Sequence, residues 1–320
     1  MNILVTGGAG FIGSNFINHM LSTYEDYKIY NLDLLTYAGN LENLNRVKDK
    51  DNYQFIKGNI VNEELVDHIV KEHKINCIVN FAAESHVDRS ITNPNIFVET
   101  NVNGTMNLLN IAKKNNIQKY VQVSTDEVYG SLGKEGFFTE KSPLAPNSPY
   151  SASKASADLL VLSYYETYGM NINITRCSNN YGPYHHPEKL IPLMVTNGIQ
   201  NKKMPIYGDG ENIRDWLYVD DHCEAIDLVL HKGVKGEVYN IGGNNERTNN
   251  EIVDIIINEL GVADNLKEYV ADRLGHDRRY AIDPSKIVNE LGWKPKFNFD
   301  TGIIKTIKWY VDNENWWRSL

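Results

Sequence analysis

Cysteine is scarce in this chain. Three residues of 320, Cys77, Cys177 and Cys223, are far apart and form no CxxC pair. That excludes a disulfide framework and reads as reduced, buried cytosolic thiols. A surplus of basic charge is missing too: 32 Lys and Arg face 41 Asp and Glu, for a formal net charge of −9. A nucleic-acid surface would need a basic patch and is not expected, whereas an anionic small ligand needs only a local cluster of Arg and Lys. No apolar run approaches the about 18 residues of a membrane span. Met1–Val5 lacks a basic start and glycines follow at once, so no signal peptide is expected and a cytoplasmic location is. Internal repeats and low-complexity tracts are absent as well.

What is present is ordinary globular material, 42% hydrophobic and 23% charged, long enough for a large core and two lobes. Ile3–Thr6, Lys28–Asp33, Phe55–Lys57, Cys77–Ala82, Tyr120–Ser124 and Ile172–Arg176 read as buried parallel strands. Phe11–Leu21, Glu63–His73, Asn95–Lys114 and Ser151–Tyr168 between them carry helical spacing. The alternation predicts an α/β fold with a doubly wound parallel (Rossmann) sheet. Beyond residue 180 the rhythm becomes irregular, with helices at Lys189–Gln200, Asp220–His231 and Asn249–Leu260, and Val238–Ile241 as a strand returning to the sheet. The expected division is a dinucleotide-binding domain of residues 1–180 plus about 217–248. A smaller, interleaved α/β substrate lobe takes about 181–216 plus 249–320.

Strand Asn2–Thr6 runs into Gly7-Gly-Ala-Gly10-Phe11-Ile12-Gly13 and then a helix. Glycines here permit a tight turn, let the backbone approach a pyrophosphate and let the helix pack close to the strand. Alone the pattern is weak. Asp33 strengthens it, closing the next strand 20 residues after Gly13. Its carboxylate suits the adenosine ribose hydroxyls and would repel a 2′-phosphate; Leu34 follows, with no adjacent Arg. The pattern favours NAD over NADP. Asn59-Ile60 sits where an adenine edge would lie, Asn59 as an acceptor, and the small Ala82-Ala83 leave room for the cofactor.

Tyr-x-x-x-Lys occurs three times among 19 tyrosines, at Tyr24/Lys28, Tyr53/Lys57 and Tyr150/Lys154. Only Tyr150 opens a helical pattern that brings the two residues to one face. Ionising a phenol near neutrality needs a downward shift of roughly 3 units, for which Lys154 and the positive nicotinamide ring are the expected sources. Thr125-Asp126-Glu127 ends a buried strand, where ligands sit in open α/β sheets. Taken alone it is a polar turn; converging with Tyr150/Lys154 it offers one carboxyl to give a proton and another to take one.

Ser124-Thr-Asp-Glu-Val-Tyr-Gly130, Tyr150-Ser-Ala-Ser-Lys-Ala-Ser156, Arg176-Cys-Ser-Asn-Asn-Tyr-Gly-Pro183, Pro187-Glu-Lys-Leu-Ile-Pro192 and Arg214-Asp-Trp-Leu-Tyr-Val219 span most of the chain. They resemble the dTDP-glucose 4,6-dehydratase family of the extended short-chain dehydrogenase/reductases. The resemblance implies a hydro-lyase with tightly held NAD, regenerated each cycle, in deoxysugar biosynthesis of the rhamnose type. It implies Thr125, Asp126, Glu127, Tyr150 and Lys154 as catalytic. Tyr150, aided by Thr125, takes the C4 hydroxyl proton, Glu127 removes the C5 hydrogen, and protonated Asp126 donates to the departing C6 hydroxyl. Thr100 joins the cofactor residues. On the substrate side it implies Glu84 and His86, then Asn179, Lys189 and Leu190 near the diphosphate, with Pro205 and Tyr207 around the base. Arg214, Asn249, Arg273 and His276 complete that side. A homodimer packed through Asn95–Lys114 and Ser151–Tyr168 is implied as well.

Two positions depart from the family's pattern, Asn59 for a usual Asp and Leu274 for a usual Pro beside Arg273. His185-His186 invites a metal reading, which fails for want of a further ligand at metal spacing, so none is expected. Two other readings stay open. A nucleotide-sugar 4-epimerase or UDP-glucuronate decarboxylase would need Tyr150 and Lys154 but not the Asp126-Glu127 pair. A catalytically silent NAD-binding protein would need neither.

Overall fold

The computed structural model describes all 320 residues. Its first half runs β1 (Asn2–Thr6), α1 (Phe11–Thr23), β2 (Lys28–Asp33), β3 (Tyr53–Lys57), α2 (Glu63–Glu72) and β4 (Cys77–Asn80). Then come α3 (Val87–Thr92), α4 (Pro94–Phe97), α5 (Thr105–Lys114), β5 (Lys119–Thr125), α6 (Pro149–Tyr168) and β6 (Ile172–Cys177). The chain continues through β7 (Asn179–Tyr181), α7 (Leu190–Ile199), β8 (Met204–Tyr207), β9 (Ile213–Tyr218), α8 (Val219–Lys232) and β10 (Val238–Ile241). It closes with β11 (Glu246–Thr248), α9 (Asn249–Leu260), β12 (Lys267–Val270), α10 (Ser285–Leu291), α11 (Phe299–Asp312) and α12 (Glu314–Arg318).

Seven strands form one parallel sheet in the order β10-β6-β5-β4-β1-β2-β3. Strand order reverses beside β1, whose Thr6 pairs with Leu32 on one side and Asn80 on the other. That switch point opens a crevice at the carboxyl ends of the strands. Alternate residues feed opposite faces. Ile3, Val5 and Val79 pack under α1 and α8 with Phe16, Met20 and Ile226, while Leu4, Ile78 and Ile172 pack under α2, α5 and α6 with Val66, Leu108 and Val161. Burial on both faces is why these strands read as continuous apolar runs.

The second lobe joins a three-stranded sheet, β11-β9-β7, to a two-stranded one, β12-β8. Its separate core gathers Met194, Trp216, Ile252, Ile256, Phe299 and Ile303. The chain crosses between lobes more often than expected. After β12 it returns to the first lobe, where Ile287 of α10 and Trp293 join the α8 side of the sheet. Asn95–Lys114, expected as one helix, divides into α4, a π-helical turn over Val98–Gly104, and α5. Pro94 starts it at the first helical position. At its end a Cβ on Gly104 would come within 2.4 Å of the Ile60 side chain, which would have to shift to admit it.

Candidate active site

A cavity of about 710 Å³ lies at the switch point between the lobes, and every site residue named from the sequence lines it. Its cofactor end is built by the glycine turn. Gly7 has φ +69°, and a Cβ there would lie 2.6 Å from the Ala82 amide nitrogen. The turn therefore brings backbone against backbone, leaving a cradle where a side chain would otherwise stand. Gly10 caps α1 without any side-chain acceptor, and Gly10, Phe11, Ile12 and Gly13 all line the cavity. The free amides of that helix start suit a pyrophosphate. Asp33 accepts from the Ala9 amide at 2.9 Å and the Leu35 amide at 2.8 Å, one bond on each oxygen. Burial pushes its carboxyl up, and those two amides hold it back. Asn59 spends its carbonyl on the Val61 amide at 3.1 Å, so its acceptor is already engaged in its own turn. Ile60, Ala82, Ala83 and Thr100 complete this end. Together the turn, the helix start and Asp33 fit a dinucleotide.

At the reacting end β5, buried along its whole length, stops in a short 3₁₀ turn over Asp126–Tyr129. Thr125 caps that turn, its hydroxyl accepting from the Glu127 amide at 3.3 Å and donating to Asp126 at 3.3 Å. Asp126 is 1% exposed, and its second carboxyl oxygen has no partner. Burial first, then the neighbouring Glu127 charge, push the Asp126 pKa well above the carboxylate range. Burial raises Glu127 as well, but Arg214, Lys189 and Arg273 pull it back down. Two adjacent carboxyls thus stand in different fields, the arrangement that separates an acid from a base.

Helix α6 presents Tyr150. A reciprocal capping box between Ser148 and Ser151, with Pro149 at the first position, fixes where the helix begins. Lys154, one turn on and 4% exposed, donates to the Val123 carbonyl at 2.8 Å. Tyr150 is raised well above the usual phenol value, chiefly by burial and then by the Glu127 charge. Lys154 is lowered by burial, with Asp158 and Cys177 opposing. Its ammonium spends one of its three donors on β5, and burial favours the protonated form of the phenol. Tyr24/Lys28 and Tyr53/Lys57 lie at strand starts or along a strand, away from the reacting end.

On the substrate side Arg214 is 8% exposed and braced by the carbonyls of Ile213 at 2.7 Å and Asp277 at 2.8 Å, over the Tyr280 ring at 4.4 Å. Arg273 pairs with Asp88 at 2.7 Å and stacks over Tyr207; beside it Leu274 is 76% exposed. Lys189 reaches the Ser85 carbonyl at 3.0 Å, and His276 bonds Asp272 at 2.6 Å. The backbone of Glu84 is pinned by Asn101 through bonds of 2.9 and 3.0 Å. Asn179, Leu190, Pro205 and Asn249 line the same wall. His86 stands 3.6 Å from Glu188, which also lies 4.0 Å from His186. The sequence reading overlooked that acid, two residues beyond His186 on the chain. It also missed Asp88, Asp277 and Tyr280, which line the cavity. Asp277 and Tyr280 follow His276 closely, and their spacing beside a motif already singled out was the available signal.

A family model described as GDP-mannose 4,6 dehydratase matches residues 4–306. Curated relatives named dTDP-glucose 4,6-dehydratase include proteins of Streptomyces antibioticus, 51% identical with 100% of this chain and 95% of the relative covered, and of Escherichia coli, 49% identical with 100% and 96% covered. Among solved structures, the chain is similar to dTDP-glucose 4,6-dehydratase from Bacillus anthracis in complex with NAD, at 60% identity, TM-score 0.94 and coverage of 100% and 99%. A UDP-glucose 4-epimerase from Thermotoga maritima is more distant, at 31% identity, TM-score 0.91 and coverage of 98% and 100%.

Proposed function

The chain belongs to the dTDP-glucose 4,6-dehydratases, within the family described as GDP-mannose 4,6 dehydratase, and we propose how its own residues divide that reaction. The enzyme is a hydro-lyase of deoxysugar biosynthesis that converts dTDP-glucose to the 4-keto-6-deoxy sugar, and its cofactor is NAD. Gly7, Gly10, Gly13 and Asp33 hold the pyrophosphate and the ribose, with Asn59, Ile60, Ala82, Ala83 and Thr100 shaping the rest of that end. When bound, NAD supplies a hydride acceptor for C4 and returns the hydride to C6.

Tyr150, aided by Thr125, takes the C4 hydroxyl proton. Its raised pKa in the ligand-free protein means that the positive charge arriving with the oxidised ring, together with Lys154, brings it into range. Oxidation at C4 makes the neighbouring C5 hydrogen acidic, and the Glu127 carboxylate removes it. Asp126, held protonated by burial, gives its proton to the C6 hydroxyl, which leaves as water. Glu127 returns a proton to C5. The proton gained at Tyr150 balances the one lost by Asp126, and the site returns to its starting state once the phenol gives up that proton and Asp126 regains one. Arg214, Lys189 and Arg273 hold the diphosphate and favour the ionised form of Glu127, with Pro205 and Tyr207 against the base.

The observation that carries this reading is the Asp126-Glu127 pair, Asp126 buried and Glu127 half-buried, in one cavity with Tyr150 and the glycine turn. A 4-epimerase has no water to expel and no use for it. Purified protein supplied with dTDP-glucose and no added reductant is expected to yield a product lighter by one water; a C4 epimer of unchanged mass would contradict the reading.

The assembly is a homodimer. Supporting this are apolar side chains left exposed near one another in sequence on α4, the π turn and α5, namely Ile96, Val98 and Met106, and Leu159 on α6. The location is cytoplasmic. Three free, buried cysteines accord with it, and no helix is long and apolar enough to cross a membrane.

A further inference from the structure

The C-terminal helix α12 lies in the second lobe's core, yet it is hydrogen-bonded to the glycine turn of the first. The indole nitrogen of Trp316 donates to the Asn43 carbonyl oxygen at 2.8 Å. The Asn43 amide in turn donates to the Ala9 carbonyl at 2.9 Å. Ala9 sits between Gly8 and Gly10, and its own amide donates to Asp33. All three links are buried: Trp316 is 8% exposed, Asn43 1% and Ala9 0%. The path runs unbroken from the end of the chain to the carboxylate that receives the adenosine ribose.

The Ala9 carbonyl and the Gly10 amide belong to one planar peptide, so pinning one end fixes the other. Gly10 donates to the Gly7 carbonyl and closes the turn. The Ala9 carbonyl takes a second bond, from the Asn40 amide at 3.0 Å, but only the Asn43 bond ties it to the far lobe; with glycines on either side of Ala9, the peptide's setting rests on these bonds. A second contact acts in the same direction. Tyr310 of α11 donates to the His185 carbonyl, and the His185 ring stacks on Phe11 at the head of α1, 4.2 Å between centroids and 11° between planes.

We infer that Trp316, acting through Asn43 on the Ala9 peptide, is a positioning residue that sets how tightly NAD is held. The chemistry gives this a purpose, since a cofactor that departs after taking the hydride leaves the sugar oxidised and unreduced. The inference rests on NAD being the cofactor and is independent of which sugar is bound.

The test measures NAD affinity and retention in the full-length protein. Trp316→Phe keeps an aromatic ring and removes only the donor. NAD is expected to bind roughly tenfold more weakly, the size of one buried hydrogen bond, and to be lost on gel filtration. The thermal shift produced by added NAD should shrink more than the melting temperature of the NAD-free protein falls. Asn43→Ala should weaken NAD similarly, and the double variant should bind no worse than Asn43→Ala alone, because both changes cut one path. Trp309→Phe is the control. That ring packs 5.0 Å from Trp316 in the same aromatic cluster and its variant should bind NAD as the parent does. If the parent binds NAD and Trp316→Phe binds it equally well, or no worse than Trp309→Phe, the inference is overturned. If the parent itself binds no NAD, the cofactor assignment falls and the inference with it.

Discussion

Asp126 and Glu127 are neighbours in sequence that meet opposite surroundings. Asp126 is sealed beneath Thr125 with one oxygen unpartnered, whereas Glu127 faces Arg214, Lys189 and Arg273. Glu127 must be ionised to act, so activity falls as pH drops through its raised pKa. Asp126 must be protonated, so activity falls again as pH rises through its own strongly raised pKa. Lys189→Met removes one cation that pulls Glu127 down. The acid limb of the kcat profile should therefore move to higher pH, while the alkaline limb moves less; an unmoved acid limb would contradict the assignment of Glu127 as base. The pair itself was legible, because a polar triplet closing a buried strand points to the crevice. Its division into acid and base was not, since Lys189 and Arg273 stand far along the chain and reach Glu127 only through the fold. The same limit explains Tyr150. Its spacing to Lys154 is visible in sequence, but the bond from Lys154 to the Val123 carbonyl is not.

At the scale of elements, α6 shows how a helix start aims a reactive group. Ser148 and Ser151 cap one another, Pro149 fixes the first turn, and Tyr150 follows immediately. Ser148→Ala should cost about 1 kcal/mol of stability, measured by chemical denaturation, and should lower kcat more than it raises the KM for the sugar. A loss of stability with kcat intact would show that the cap does not aim the phenol. The six strands expected in the first half are all found; five are largely buried and read as apolar runs, whereas β3, expected as buried, is an edge strand with no fully buried residue. Strands β7, β8, β9, β11 and β12 carry three to six residues each. Two of them, β11 and β12, are only half-buried or exposed, and so give no such run. Helix α11 is a different case. Phe299, Ile303, Ile307 and Tyr310 bury one face at helical spacing, a signal that was present and went unread.

Across the whole molecule, what matters is that the lobes interleave and brace the helices flanking the cofactor turn. On the outer side, Asp227 of α8 binds His19 of α1 at 2.9 Å and His231 at 2.7 Å. Burial opposes the Asp227 charge, but bonds from His19 and His231 outweigh it and hold its pKa below the ordinary value. His231 is raised, chiefly by its bond to Asp227. A raised histidine stabilises fully below its unfolded pKa and loses that contribution as pH rises through the folded one. A lowered carboxylate stabilises above its unfolded pKa and loses the contribution as pH falls. The contact is therefore strongest between about pH 4 and 6.5. The melting-temperature advantage of the parent over His231→Asn should be larger near pH 6 than near pH 9; an advantage that grows with pH would contradict the pairing. The lobes were legible as a change of rhythm past residue 180. The return of α10 to the first core and the reach of Trp316 to Asn43 were not, because single contacts between distant segments leave no period in the sequence. The central claim is that Tyr150 and the glycine turn perform oxidation while Asp126 and Glu127 perform elimination. A single turnover of Glu127→Gln on dTDP-glucose, followed by the absorbance of reduced nicotinamide and by product mass, tests it most directly. The absorbance is expected to rise and persist with no water lost; a rise and decay matching the parent, with dehydrated product, would assign the elimination to other residues.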